Sequence, residues 1–173
     1  MKLTSFDIIV QALNGAGVRY LVVGGLAVNA HGYIRATTDV DLVIQLSAPN
    51  IRAALEALAE VGYHPAQPVT AAEFSDPTVR EAWRHEKQML VLKLWSDAYR
   101  ETPVDVFVFE PFDFDREYEC ALQDTTMGAS SARFVAIPAL IAMKEAAGRD
   151  RDLIDIEKLR QIANFKNNVS ENL

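Results

Sequence analysis

Two short stretches of the chain decide its fold: VVGGLAVNAHG at residues 22–32 and RATTDVDL at residues 35–42. The first stretch continues an apolar run that begins at Tyr20 and stops at two consecutive glycines. A short, continuous apolar run of this kind indicates a strand that is buried on both faces of a sheet. The residues after the glycines predict a short helix over 26–31. We therefore expect a strand, a tight turn and a helix.

The second stretch places Asp39 and Asp41 at the start of a predicted strand, which is otherwise rich in branched apolar residues. Residues i and i+2 of a strand point to the same face, so the two carboxylates are expected side by side while Val40 and Leu42 enter the core. Neighbouring carboxylates raise each other's proton affinity, and a cation between them removes this cost. Magnesium fits, because it takes oxygen ligands and leaves room for substrate phosphates. Two aspartates at the wet edge of a sheet are the alternative.

A third carboxylate, Asp105, lies within residues 104–109, where its neighbours are apolar or aromatic. A lone acid inside such a strand is costly unless it is paired, bound to metal or on an exposed face. Together with Asp39 and Asp41 it would supply enough oxygen ligands for two cations that bridge a triphosphate.

The glycine pair, Gly24 and Gly25, allows the backbone to approach a ligand closely. The N–H groups that begin the following helix favour phosphate as that ligand. An ordinary tight turn is the alternative. The motif is neither the dinucleotide-binding fingerprint nor a Walker loop, because no Gly-Lys-Ser/Thr follows.

Hydrophobic periodicity predicts the remaining elements. Helices are expected over residues 5–14, 47–61 and 138–147, with a last helix marked by Leu153, Ile156, Leu159 and Ile162. Further strands are expected over residues 88–95, 104–109 and 133–136, and residues 65–77 are expected to form a turn-rich connection. This order predicts an α/β (α+β) fold with one mixed β-sheet flanked by helices. We expect one domain over residues 1–163 and a polar, frayed tail over residues 164–173.

Composition narrows the class of protein. The 173 residues are 50% hydrophobic and 24% charged, as in an ordinary globular domain. No apolar run approaches the roughly 18 residues of a membrane span, and the first residues do not resemble a signal peptide. Cys120 is the only cysteine, so an internal disulfide is excluded and a cytoplasmic location is expected. The net charge of −7 argues against a protein that grips a long DNA template.

The two stretches quoted above resemble the signature of polymerase-beta-type nucleotidyltransferases. Together with IPALIAMKEAAGRDRD at residues 137–152, they are most similar to the small bacterial proteins grouped with AbiEii-type toxins. The resemblance covers about residues 20–159 of the chain. It implies the nucleotidyltransferase fold, in which the C-terminal helices close the cleft.

The resemblance also implies chemistry: a magnesium-dependent enzyme that uses a nucleoside triphosphate (NTP) and two Mg²⁺ ions. Asp39 and Asp41 would hold the metal that binds the triphosphate, and Asp105 would complete a second metal site and favour deprotonation of the acceptor hydroxyl. The implied nucleotide-binding residues are Gly24, Gly25, Arg35, Thr38 and Lys144. For Lys144 a surface lysine paired with neighbouring acids is the alternative. Many members carry Gly-Ser instead of two glycines, so a phosphate-binding hydroxyl is missing and weaker or altered nucleotide binding is expected.

Several functions remain open at this point. The acceptor would be RNA such as tRNA, a protein or a small molecule, and a toxin with an antitoxin partner fits the resemblance best. An antibiotic nucleotidyltransferase is the runner-up, and a non-catalytic binding or regulatory protein with the same fold is the candidate from another class. Packing roles are expected for His31, Trp83 and Trp95, and residues 149–152 are expected to form a solvated charge cluster.

Overall fold

The computed structural model describes residues 1–125 and 130–170 of the chain. Its helices are α1 (Leu3–Gly15), α2 (Gly24–Ala30), α3 (Ala48–Glu60), α4 (Ala71–Ser75), α5 (Pro77–Glu86), α6 (Phe114–Cys120), α7 (Ile137–Ala147) and α8 (Asp150–Ser170). Its strands are β1 (Tyr20–Val22), β2 (Val40–Ile44), β3 (His64–Pro65), β4 (Val91–Trp95), β5 (Val104–Phe107), β6 (Leu122–Asp124) and β7 (Ala132–Phe134).

Within the described residues, the strands form one mixed sheet in the order β3-β4-β5-β2-β1-β7-β6. The pairs β1–β7 and β2–β5 are parallel. The other neighbouring pairs are antiparallel. The helices α2 and α7 contact each other, and α7 packs against α8. The expected α/β fold, with one mixed sheet flanked by helices, is confirmed.

The centre of the sheet is buried because β1 and β2 carry apolar side chains on both faces. All three residues of β1 are buried, and in β2 only Asp41 is partly exposed. The predicted alternation is also confirmed, since Val40 and Leu42 are fully buried in the core. One charged side chain thus interrupts an otherwise apolar pair of central strands.

The prediction of a turn-rich connection over residues 65–77 is wrong in part. The segment contains the end of β3, the whole of α4 and the first residue of α5. Capping explains both helices: Thr70 and Glu73 form a reciprocal capping box at the start of α4. The Asp76 side chain caps α5 and accepts a hydrogen bond from the backbone of Thr78. These local signals are present in the sequence, and Pro77 is compatible with them because it stands in the first turn of α5.

Two other boundaries differ from expectation. The strand predicted from residue 88 begins at Val91, because Gln88 has a positive φ of 52° and turns the chain. The tail predicted to fray from residue 164 continues α8 as far as Ser170. No glycine or proline interrupts α8, so the helix has no local reason to stop at residue 163. The last three residues of the chain lie outside the described residues.

None of the described helices combines the length and the apolar character that a membrane crossing requires.

The packing of α8 gives a direct test of the fold, because two leucines on this helix differ completely in environment. Leu159 is fully buried, whereas Leu153 is 66% exposed. Leu159→Ala is expected to lower the free energy of unfolding by about 2–4 kcal/mol, since it removes buried methyl groups and leaves a cavity. The matched change Leu153→Ala is expected to cost less than about 0.5 kcal/mol. Urea denaturation of both variants checks this, and equal losses would contradict the observed orientation of α8.

Candidate active site

The parallel pairing of β2 with β5 places two carboxylates next to each other. The register aligns Val40 with Val104 and Asp41 with Asp105. Residues that are aligned on neighbouring strands project from the same face of a sheet. The sequence predicted Asp39 as the neighbour of Asp41; the structure adds Asp105 as its partner across the strands. Asp39 itself lies immediately before β2.

Asp105 is an unusual carboxylate because one of its oxygens is buried without a hydrogen-bond partner among the described residues. Its other oxygen, Oδ2, lies 3.7 Å from the ammonium of Lys93, a residue whose side chain is largely exposed. Only 9% of Asp105 is accessible to solvent. Burial raises the pKa of Asp105, and the nearby Lys93 opposes this effect. The buried oxygen is available to a cation or to a proton.

The ionised form of Asp41 is disfavoured by burial and by two neighbouring carboxylates. Burial, followed by the neighbouring carboxylates of Asp105 and Asp39, raises the pKa of Asp41 to about 6. The positive charges of Arg149 and Lys144 act in the opposite direction but are weaker. The ionised site is therefore costly in the absence of a cation, which is the physical signature expected of a metal or substrate site.

Gly24 forms the wall against which Asp41 rests. Its φ is +64°, a conformation that favours glycine. A Cβ at this position would lie 2.7 Å from Cγ of Asp41 and closer still to Oδ2. Both the backbone conformation and the lack of space therefore require glycine here. Glycine at position 24 therefore allows the backbone to lie close to the carboxylate of Asp41.

A pocket of about 190 Å³ opens beside Gly24 and Asp41. It contains all the site residues predicted from the sequence except Asp105, which lies one strand away. The pocket thus lies between the start of α2 and the junction of α7 with α8, where the sequence predicted a cleft between the glycines and the C-terminal helices. Its lining consists of Gly24, Gly25, Arg35, Ala36, Thr37, Thr38, Asp39, Asp41, Lys144, Arg149 and Arg151.

The far wall of the pocket is held by a group of charged residues that we call the ion cluster: Arg35, Lys144, Arg149, Asp152 and Asp155. Lys144 is at its centre and is only 4% exposed. Its ammonium donates to Asp155 Oδ2 at 2.7 Å and to Asp152 Oδ1 at 3.2 Å. The alternative of a lysine paired with neighbouring acids is confirmed for the pairing but is wrong for the surface position. Nucleotide binding by Lys144 stays a prediction.

The two arginines of the ion cluster extend from it to the pocket. Arg35 makes a bidentate pair with Asp155, with Nε–Oδ1 and Nη2–Oδ2 distances of 2.8 and 2.7 Å. Arg149 Nε lies 2.7 Å from Asp152 Oδ2, and about half of its side chain is exposed. The cluster therefore ties the loop before β2 to α7 and α8. Such bidentate geometry fixes the plane of a guanidinium as well as its position.

The prediction that residues 149–152 form a solvated cluster is wrong for Asp152, which is fully buried. Asp155, equally buried, was not singled out by the sequence reasoning at all. Both lie on the same face of α8 as the buried Ile156 and Leu159. The sequence does contain a signal for their burial: Asp152 and Asp155 are two acids at helical spacing on the apolar face of a predicted helix.

The carboxylates of the ion cluster are ionised. Burial alone would raise the pKa of Asp152, but hydrogen bonds from Arg149 and Lys144 hold it below its usual value. Burial likewise opposes ionisation of Asp155, and the hydrogen bonds from Arg35 and Lys144 again lower its pKa. Arg149 and Lys144 do not lower the pKa of Asp41 below its usual value, because neither donates a hydrogen bond to Asp41.

The aromatic and histidine side chains have the following positions. His31 is buried, and its Nε2 lies 2.8 Å from the carbonyl oxygen of Val135, which gives it the expected packing role. Trp83 belongs to the core, as predicted. Trp95 does not: it is 47% exposed at the end of β4, so its predicted packing role is wrong. Strand alternation places it on the outer face of β4 with Lys93.

The acids fit a divalent cation chemically, although the described side chains do not already form a three-residue metal-binding group. The fit rests on the buried, unpartnered oxygen of Asp105 and on the raised pKa of Asp41. Asp39 accepts a hydrogen bond from the Thr38 hydroxyl, and Asp105 is paired with Lys93. A cation that uses all three acids has to replace these partners.

Comparison with solved structures places this geometry in a known fold. The lincosamide antibiotic adenylyltransferase LnuA with lincomycin bound has a TM-score of 0.57 at 13% identity, over 94% of this chain and 98% of that one. The antibiotic-resistance factor ANT(2'')-Ia gives the same score and identity over 98% and 93%. An antigenic nucleotidyltransferase-like protein from Paracoccidioides brasiliensis has a TM-score of 0.55 at 16% identity, over 94% and 75%. The chain therefore has the nucleotidyltransferase fold.

No protein-family model matches the chain. No curated protein matches it either.

The burial of Asp41, together with repulsion from its neighbouring acids, predicts a pH-dependent gain in stability on neutralising this residue. The unfolded chain ionises Asp41 near pH 4 and the folded chain only near pH 6, so the cost of ionisation appears between these values and is complete above them. In the absence of divalent cations, Asp41→Asn should raise the free energy of unfolding by about 1–3 kcal/mol at about pH 7.5. At about pH 4.5 the gain should be much smaller. Denaturation at both pH values in EDTA checks this, and an equal effect at the two values would contradict a raised pKa of Asp41.

The ion cluster predicts that Lys144 is needed for folding. Lys144→Met leaves two buried carboxylates without their central cation, and we expect it to lower the free energy of unfolding by about 3–5 kcal/mol. The control is Lys87→Met, which changes an exposed lysine at the end of α5 and should alter stability by less than about 0.5 kcal/mol. Thermal unfolding of both variants measures the difference. Similar midpoints for the two would show that the cluster contributes little.

Proposed function

We propose that the protein is a magnesium-dependent nucleotidyltransferase that moves a nucleoside monophosphate from an NTP to an acceptor hydroxyl. The observation that carries this proposal is the alignment of Asp41 with Asp105 beside the Gly24 turn. The sequence pattern independently indicates these two acids, together with Asp39, as metal ligands. The nucleotidyltransferase fold adds support, since the site lies in a fold shared with enzymes of this class.

Each residue of the site has a separate role in the proposed transfer reaction. Asp39 and Asp41 would hold a divalent cation that accompanies the triphosphate, and Arg35 and Arg149 neutralise phosphate charge from the opposite wall of the pocket. The acceptor oxygen attacks the α-phosphorus, and pyrophosphate leaves. The carboxylate of Asp105, which is aligned with Asp41 on the neighbouring strand, receives the hydroxyl proton. Magnesium bound to these acids would supply charge neutralisation and alignment of the phosphates.

Lys144 contributes to this site in an indirect way in our proposal. Its ammonium is already shared by two carboxylates at hydrogen-bond distance, so a phosphate would have to compete with both. Its central position instead orients Asp155 and Asp152, which in turn orient Arg35 and Arg149. Gly24, Gly25 and Thr38 remain proposed nucleotide contacts because they line the pocket.

Two acceptor classes follow from different observations. The similarity of residues 22–42 and 137–152 to AbiEii-type toxins favours a toxin that modifies RNA such as tRNA, or a protein, and is restrained by an antitoxin. The structural neighbours favour a small-molecule acceptor: one is a lincosamide adenylyltransferase and another is an antibiotic-resistance factor. The net charge of −7 weighs against a long nucleic acid in either case.

Isothermal titration tests nucleotide binding. We expect wild type to bind at least one of ATP, CTP, GTP and UTP, and to do so only with magnesium. Asp41→Asn should weaken this binding by at least about tenfold, since it removes a metal ligand from the pocket. Glu56→Gln, which changes an exposed acid on α3, is the control and should bind like wild type. Absence of binding by wild type to all four nucleotides would favour a non-catalytic protein that retains the fold.

Transfer is tested separately with the tightest-binding nucleotide, labelled at the α-phosphate. Candidate acceptors are tRNA, total protein, lincomycin and an aminoglycoside. Asp105→Asn should keep nucleotide binding within a few-fold but lower transfer by about a hundredfold, because it removes the group that receives the acceptor proton. Label on tRNA or protein would support the toxin, and label on an antibiotic the runner-up. Undiminished transfer by Asp105→Asn would contradict its role.

A further inference from the structure

Gly25 and Thr37 compete for the same space. A Cβ on Gly25 would lie 2.9 Å from Cβ of Thr37, closer still to the Thr37 hydroxyl oxygen, and 3.3 Å from Nη1 of Arg35. Gly25 does not have the positive φ of Gly24, so its backbone would accept any residue. Lack of room, caused chiefly by Thr37, is therefore what excludes a side chain at position 25.

The Thr37 hydroxyl is placed to meet a ligand. Thr37 lines the pocket together with Asp39, Asp41 and Arg149. Among the described residues its hydroxyl has no hydrogen-bond partner, whereas the hydroxyl of the adjacent Thr38 donates to Asp39. The proton of Thr37 is thus free for an acceptor on a bound molecule.

The position of Thr37 is also fixed. Arg35, two residues earlier, is held by its bidentate pair with Asp155 and by a 3.0 Å hydrogen bond from Nη1 to the carbonyl oxygen of Ala36. This part of the loop therefore cannot shift without disturbing a buried ion pair. A hydroxyl held beside guanidinium groups at a pocket wall suits an anionic oxygen acceptor, and a phosphate chain supplies such oxygens.

We propose that Thr37 is a phosphate-binding residue, whose hydroxyl donates a hydrogen bond to the polyphosphate chain of the nucleotide. Gly25 is glycine so that this hydroxyl can lie where a side chain at position 25 would otherwise be. This inference rests on the proposed function and names a further residue of the same site. It also changes an expectation from the sequence: the hydroxyl missing at position 25 is supplied from position 37, so Gly25 does not weaken nucleotide binding.

The first test compares Thr37→Val with Thr37→Ser. The valine keeps the shape but removes the hydroxyl, and it should weaken binding by about tenfold, the usual effect of losing a hydrogen bond to a charged group. The serine should bind within about threefold of wild type. The probes are the tightest-binding NTP and inorganic tripolyphosphate, each with magnesium, and both should show the same loss. Thr4→Val, on the exposed side of α1, is the matched control and should bind like wild type.

The second test exchanges the hydroxyl between the two positions. Gly25→Ser alone forces Thr37 aside and should weaken binding, and Thr37→Ala alone should weaken it by about tenfold. The double variant Gly25→Ser with Thr37→Ala removes the collision and restores a hydroxyl to this space. Its affinity should return to within about threefold of wild type. Thermal midpoints confirm that each variant is folded, and the comparison of valine with serine stands if the double variant is not.

The outcomes separate this inference from the proposed function. Wild-type binding with an unchanged affinity in Thr37→Val would overturn the role of Thr37 and leave the nucleotidyltransferase proposal standing. A double variant as weak as Thr37→Ala would likewise overturn the exchange of the hydroxyl. Failure of wild type to bind any NTP or tripolyphosphate would overturn both proposals together.

Discussion

The pocket depends on one buried interaction, the contact of the Lys144 ammonium with Asp152 and Asp155. Through Asp155 this contact reaches Arg35 on the loop before β2, and through Asp152 it reaches Arg149 between α7 and α8. Segments that are far apart in the chain thus share one network of charges. Because buried charges are stable only when all are paired, the network permits few arrangements of the loop relative to the two helices. The cationic wall of the pocket is consequently a property of the fold rather than of individual flexible side chains.

The acids of β2 and β5 differ from those of the ion cluster, because their charges are less completely compensated. Asp41 and Asp105 are aligned on neighbouring strands, and the pKa of each is raised, chiefly by burial. The protein therefore combines two fully paired acids behind the arginines with two incompletely compensated acids on the sheet, of which Asp105 has only the exposed Lys93 nearby. Sites that carry out chemistry often keep such unfavourable groups, since the fold pays for them with packing elsewhere. Here the apolar core around β1 and β2 provides that packing.

The sequence was sufficient for the parts of the structure that local patterns determine. Residue spacing alone placed Val40 and Leu42 in the core and the acids on the other face, because a strand has a period of two. It was insufficient for Asp105 as the direct partner of Asp41, since register between distant strands depends on the whole sheet. The short helices α4 and α6 were missed because capping residues, rather than apolar periodicity, define them. Asp155 was missed because its partners, Arg35 and Lys144, lie on other elements and only the tertiary structure brings them together.

The bidentate pair of Arg35 and Asp155 joins residues separated by 120 positions in the chain. A contact of such long separation requires a large loop to close, which costs conformational entropy. During synthesis the acidic strands and the glycine turn leave the ribosome well before α8 does. A nascent chain that ends before α8 lacks Asp152 and Asp155, and its loop has no partner for Arg35. Assembly of the cationic wall therefore requires α8, so the pocket cannot be complete before α8 has been synthesised.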